Sequence, residues 1–194
     1  LKKLRSSSIN IIQDRDFSID KRLINLGSQL KVPNSRNPIK VNDRSKFQLD
    51  FFKRVIKSLK VFTEIDSQVF IEYTELVLES FKDSYSLPNY MKDNDCYFEN
   101  YLVNSMFQSN FPFNVNQNKF DGYLILVVRF ALIRFYLAGI AVSRGKITLN
   151  DVVLMIQVHT KVLSHHDSFI PNLLEDLKHR GFDNMDFVSN LLTT

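Results

Sequence analysis

The twenty residues from Tyr123 to Val142 are apolar except for Arg129 and Arg134 near their middle. The length matches a bilayer crossing. Each arginine at a bilayer centre would cost about 2.5–3.5 kcal/mol, which offsets much of the aliphatic gain. The stretch is therefore read as the central helix of a helical bundle, apolar nearly all round because neighbours surround it. No membrane span is expected.

The rest of the chain follows helical periodicity. Phe47, Phe51, Phe52, Val55, Ile56, Leu59 and Phe62 recur at spacings of three and four, with Lys53, Arg54, Lys57 and Lys60 on the other face. Ile65, Val69, Tyr73, Leu76, Val77 and Phe81 predict a second helix, with Asp66 as its cap and Leu87-Pro88 as its stop. A third helix is predicted over about 95–108, ending before Phe111-Pro112-Phe113, and 114–118 reads as loop. After a turn around Gly145, Thr148 and Asp151 have capping-box spacing. They open a helix whose core face is predicted to carry Leu149, Val152, Val153, Ile156, Thr160 and Leu163. Two short helices follow near 168–180 and 184–192, with Pro171 in a first turn and Gly181 as the residue just past a helix end. Only five glycines and five prolines serve 194 residues, which disfavours a many-turned β-sandwich. The expected class is all-α: a single multi-helix bundle (residues 46–194) behind a basic, partly irregular arm (residues 1–45) with a short helix around 16–30.

Charge is distributed unevenly along the chain. Residues 1–60 hold 15 of the 25 Lys and Arg but 5 of the 21 acids. Such an arm meets either an anionic partner or the chain's own acidic remainder. No recognisable nucleic-acid motif accompanies it, so nucleic acid is not an expected partner. A single cysteine, Cys96, excludes an intrachain disulfide and a cysteine-built metal or cluster site. A lone cysteine of this kind is expected to be a buried spectator. The chain opens polar and basic, on Leu rather than Met, which is read as a piece of a longer or processed protein without a signal peptide. A reducing compartment is the default.

Few residues suggest chemistry. Arg129 and Arg134 stay charged even in a buried helix and need acceptors. They line a pocket for an anionic group, such as a cofactor carboxylate, or pair with acids such as Glu99 or Glu72, or reach solvent with their heads past apolar stems. Their five-residue spacing sets them about 140° apart around the helix. In Glu99-Asn100-Tyr101-Leu102, Glu99 and Tyr101 offer an acid/base pair or a seat for a substrate amine; the alternative is an arginine-paired Glu99 and a core Tyr101. His159, His165 and His166 are read as donors near a helix C-terminus rather than a metal site, and His165 is retained as a possible site residue. No metal site is expected, and no Gly-rich phosphate loop is present.

Four pieces in order carry a resemblance: Glu99-Asn100-Tyr101-Leu102-Val103-Asn104; Phe111-Pro112-Phe113; Arg129-Phe130-Ala131-Leu132-Ile133-Arg134-Phe135-Tyr136-Leu137-Ala138-Gly139; and Val162 to His166 leading into Phe169. Together they resemble the C-terminal half of the flagellin lysine-N-methylases. The resemblance covers about half of the chain well and 46–98 loosely. It implies a bacterial, cytoplasmic protein that transfers methyl groups from S-adenosylmethionine to flagellin lysines. It also implies an N-terminal part, lacking here, with a cysteine cluster holding an iron–sulfur centre. The expected partners are then flagellin and that N-terminal part. On residue chemistry alone, Glu99 and Tyr101 are the catalytic candidates, Arg129 and Arg134 the cofactor contacts, and Asn100 and His165 the substrate contacts. The competing reading is a non-enzymatic helical binding module.

Overall fold

A computed structural model describes residues 2–34, 43–62, 68–81, 95–112, 118–164 and 168–193. Among them lie nine helices and no strand: α1 (Lys2–Ile12), α2 (Ile19–Gln29), α3 (Arg44–Phe62), α4 (Gln68–Ser80), α5 (Asp95–Gln108), α6 (Lys119–Arg144), α7 (Leu149–Ser164), α8 (Phe169–His179) and α9 (Met185–Leu192). The all-α class holds. The Asp66 cap, the Leu87-Pro88 stop, Phe113, the 114–117 loop, His165 and His166 lie outside the described residues.

Helix α6 contains the long apolar stretch. Its most apolar window is 89% buried, as a core helix requires. The chain divides into two compact units, and α6 contributes to both.

The first unit comprises Leu1–Lys40, Lys92–Phe130 and Leu177–Thr193. Helices α1 and α2 pack on each other and both meet α5. Ile12, Leu23 and Leu26 are fully buried. Ser18 caps α2 by accepting from the Lys21 amide at 3.4 Å. Phe98 meets Phe130 edge-on at 5.2 Å, and the Tyr123 hydroxyl donates to the Leu23 carbonyl at 2.9 Å. Gly181 lies past the end of α8 at φ +68. Its amide bonds the Lys178 carbonyl, and the Phe182 amide bonds that of Leu177, closing the helix as expected.

The second unit comprises Val41–Met91, Ala131–Asp176 and Thr194. In α3 the predicted face is buried at Phe51, Phe52, Val55, Ile56 and Leu59. Phe52 stacks on Phe135 at 4.4 Å. Helix α4 buries Phe70, Thr74 and Val77, while Tyr73 and Leu76 are only half-buried. Gly139 lets α4 come close: a Cβ there would meet Val77 Cγ2 at 2.7 Å. The capping box of α7 forms as read, with the Thr148 amide 2.8 Å from Asp151 Oδ2 and the Asp151 amide 3.2 Å from Thr148 Oγ1.

The face of α7 differs from expectation. Val152, Met155, His159 and Val162 are buried. Leu149 and Val153 are 52% and 42% exposed, and Thr160 is exposed. Two apolar stripes run along this helix, and periodicity cannot rank two hydrophobic faces of similar strength. His159 therefore sits in the core and not beside terminal carbonyls. Cys96, expected to be buried, is exposed.

Candidate functional site

Helix α5 carries Glu99, Asn100 and Tyr101 on successive positions, which an α-helix points in three directions about 100° apart. Glu99 is 5% exposed. Arg15 grips it in a fork, Nε to Oε2 at 3.1 Å and Nη2 to Oε1 at 3.0 Å. Arg22, itself buried, adds Nη1 to Oε2 at 2.9 Å and also donates to the carbonyls of Phe17 and Ile12. The Arg15 and Arg22 bonds outweigh burial and hold the carboxyl below its usual range. A carboxylate so engaged is a weak base. Its geometry is that of a clamp holding the α1–α2 turn to α5. The sequence reading allowed an arginine partner for Glu99 but looked to Arg129 and Arg134; Arg15 and Arg22 were missed. They lie 84 and 77 positions away, and no local signal marks them.

Asn100 is exposed. Tyr101 is partly buried, and burial raises its phenol above the ordinary value, against the opposing influence of the Arg129 charge and a hydrogen bond with Ser105. The phenol therefore stays protonated near neutral pH. Arg129, from α6 in the same unit, is the charge that Tyr101 feels, and burial lowers its guanidinium from the ordinary value. Its Nε is sealed from solvent without a hydrogen-bond partner. Among the described residues no carboxylate forms an ion pair with Arg129. The residue as a whole keeps partial exposure. Tyr101, Ser105 and Arg129 are thus electrostatic neighbours in the first unit.

Arg134 belongs to the second unit and is 2% exposed; it has an interaction partner, while its Nε, like that of Arg129, makes no hydrogen bond. Glu72 accepts from Gln68 Nε2 within α4 at 3.0 Å.

The second unit has features of its own. The His159 ring is 1% exposed. It meets Tyr136 edge-on at 4.7 Å and Phe70 at 5.8 Å, and neither nitrogen finds a partner. Burial pushes its pKa down to about 3. An open groove of about 510 Å³ is lined by Glu72, Glu75, Leu76, Glu79, Ser80, Val142 and Ser143. The three glutamates are exposed on one face of α4, and Val142 leaves 46% of its surface open. Among the described residues none of the three forms an ion pair. The sequence holds this signal, acids at i, i+3 and i+7, but acids on an exposed helical face are commonplace.

Residues 29–191 match the family model described as the FliB lysine N-methylase C-terminal domain. The chain belongs to that family. The match covers the end of α2 and every helix after it, so Glu99, Asn100, Tyr101, Arg129, Arg134 and His165 all fall within the FliB domain. It reaches well upstream of Glu99, where the sequence resemblance was loose. Helix α1 and most of α2, although packed into the first unit, precede the matched span. No curated protein and no solved structure matches the chain.

Proposed function

We propose that this FliB domain serves a flagellin lysine N-methylase by holding the substrate and cofactor during methyl transfer from S-adenosylmethionine to flagellin lysines, in the bacterial cytoplasm. The observation that carries the reading is the family match over 29–191. The donor, when bound, supplies an electrophilic methyl group on a sulfonium. Its amino-acid end carries a carboxylate, and the unpaired guanidinium of Arg129 fits that group. Arg134, already engaged, is the weaker of the two proposed cofactor contacts.

A lysine attacks only as the neutral amine, and its ordinary pKa is about 10.4. Desolvation or a base must remove the proton. The double arginine clamp disfavours Glu99 as that base. Protonated Tyr101 orients an amine by hydrogen bonding and does not take its proton as a phenolate. Asn100, exposed one residue away, is the proposed substrate contact, with His165. The α4 groove supports a basic partner: three carboxylates that form no ion pair among the described residues, beside Leu76 and Val142, suit a lysine, charged at its tip and apolar along its stem. One cysteine cannot hold an iron–sulfur cluster. That centre, and the residues that bind it, are assigned to an N-terminal part of the family's proteins.

The test is methyl transfer from radiolabelled S-adenosylmethionine to purified flagellin, with the full-length protein run beside this chain. Label incorporated by the full-length protein alone supports a holding role for the domain. Label incorporated by this chain places the whole site here. No label from either, with folding and cofactor content verified, sinks the methylase reading and favours a non-enzymatic binding module.

A further inference from the structure

Helix α7 has more apolar surface than its own unit covers. Val152, Met155, His159 and Val162 face the core. A second stripe stays at the surface: Leu149 and Val153 are 52% and 42% exposed, Ile156 is half-buried and Thr160 is exposed. The side-chain oxygen in this stripe is already satisfied, because Thr160 Oγ1 donates to the Ile156 carbonyl of its own helix at 2.7 Å. Apolar residues scattered singly on a surface need no explanation; a continuous stripe does.

Spacing and charge narrow what fits it. Positions 149, 153, 156 and 160 recur by four, three and four, and Leu163 continues the series in the sequence. That is the repeat by which one helix packs along another, with β-branched Val153 and Thr160 at one seam position and Leu149 and Ile156 at the other. The partner surface is therefore a helix with the same repeat. From Leu149 to Thr160 the exposed residues of α7 are Leu149, Asn150, Val153, Gln157 and Thr160, and none is charged, in a chain that is 24% charged. A partner steered by charge finds nothing to pair with here. A second copy meets the stripe without like-charge repulsion, and the amides of Asn150 and Gln157 both donate and accept across such a contact. The stripe is thus complementary to itself, as a two-fold interface requires.

We propose that α7 is a self-association surface, on which a second copy of this chain lays its own α7 along the 149–160 stripe. The stripe is about 16 Å long at about 1.5 Å per residue. One helix face of that length covers less than the roughly 800 Å² per partner of a stable pair. The dimer is therefore weak and builds up with concentration. It does not depend on methyl transfer.

The experiment is sedimentation equilibrium of the whole chain up to about 1 mM, the range in which weak association is read. The wild type should show a monomer–dimer equilibrium that added salt does not weaken, because no ion pair holds it. Val153→Glu places an unpaired carboxylate in the stripe and should weaken the dimer by about tenfold or more. Thr160→Glu, at the other end, should act in the same direction. Both positions are exposed, so the melting temperature of dilute protein should stay near that of the wild type. In a Cys96→Ser background, Val153→Cys should let a short bis-maleimide join two copies, and adding Leu149→Glu to that chain should suppress the product. A monomer throughout the range overturns the proposal. So does a dimer that both glutamate substitutions leave intact, one that salt dissolves, or one in which the thiol introduced at position 153 is not joined.

Discussion

His159 makes the stability of the second unit depend on acid in a way that can be calculated. In the unfolded chain an imidazole titrates near 6.5; in the fold, burial lowers it to about 3. Between these values only the unfolded chain takes up the proton. Stability is therefore highest above the unfolded pKa and falls as pH drops below it, until the folded pKa is reached. Linkage makes the loss about 1.4 kcal/mol per pH unit, or about 2 kcal/mol between about pH 7 and about pH 5. For a chain of this size that is a melting-temperature drop of roughly 4–8 °C. His159→Phe keeps a ring against Tyr136 and Phe70 and removes both unpaired nitrogens. The variant should lack this acid loss, while the other histidines contribute equally to both proteins. The measurement is thermal melting by circular dichroism of wild type and variant at both pH values. An equal acid loss in the two proteins would refute the argument, as would a His159 titration near 6.5 in the folded protein followed by NMR.

Three other substitutions test the packing. Glu99→Gln leaves Arg22 buried without its counter-charge and should cost about 3–5 kcal/mol in urea unfolding; because the folded pKa of Glu99 is depressed, the wild type's advantage is present above the unfolded carboxyl pKa and disappears as pH falls through the folded one. Gly139→Ala drives a methyl into Val77 and should cost about 1–3 kcal/mol, with Val77→Ala restoring part of it in the double variant; additive losses would show the contact to be unimportant. Asp151→Ala breaks the capping box and the 2.9 Å Arg144 bond and should cost about 0.5–2 kcal/mol, read as a lower melting temperature; an unchanged one would mean that the cap carries no stability.

Local physics wrote the helical elements into the sequence in readable form. The buried face of α3, the central helix α6, the Thr148–Asp151 box and the Gly181 terminus each depend on residues within a few positions of one another, so spacing reports them directly. The class of the fold follows from the same short-range signals. The site was less legible. Tyr101, Arg129 and Glu99 were recognisable as polar residues that need partners, because charge in an apolar helix is conspicuous. Which partner each would find was not, because the answer lies tens of residues away.

The sequence alone established an all-α chain around a buried apolar helix, with two arginines that need acceptors. Tertiary packing decided the rest. It folded the basic N-terminal residues into two helices of the first unit, gave Glu99 to Arg15 and Arg22, and among the described residues left Arg129 without an ion pair. It also turned α7 so that His159 faces the core. The physical reason is the range of the forces. Periodicity and capping act within a turn or two of helix. The pairing of charges and the choice between two apolar faces are settled only when distant segments compete for the same contact.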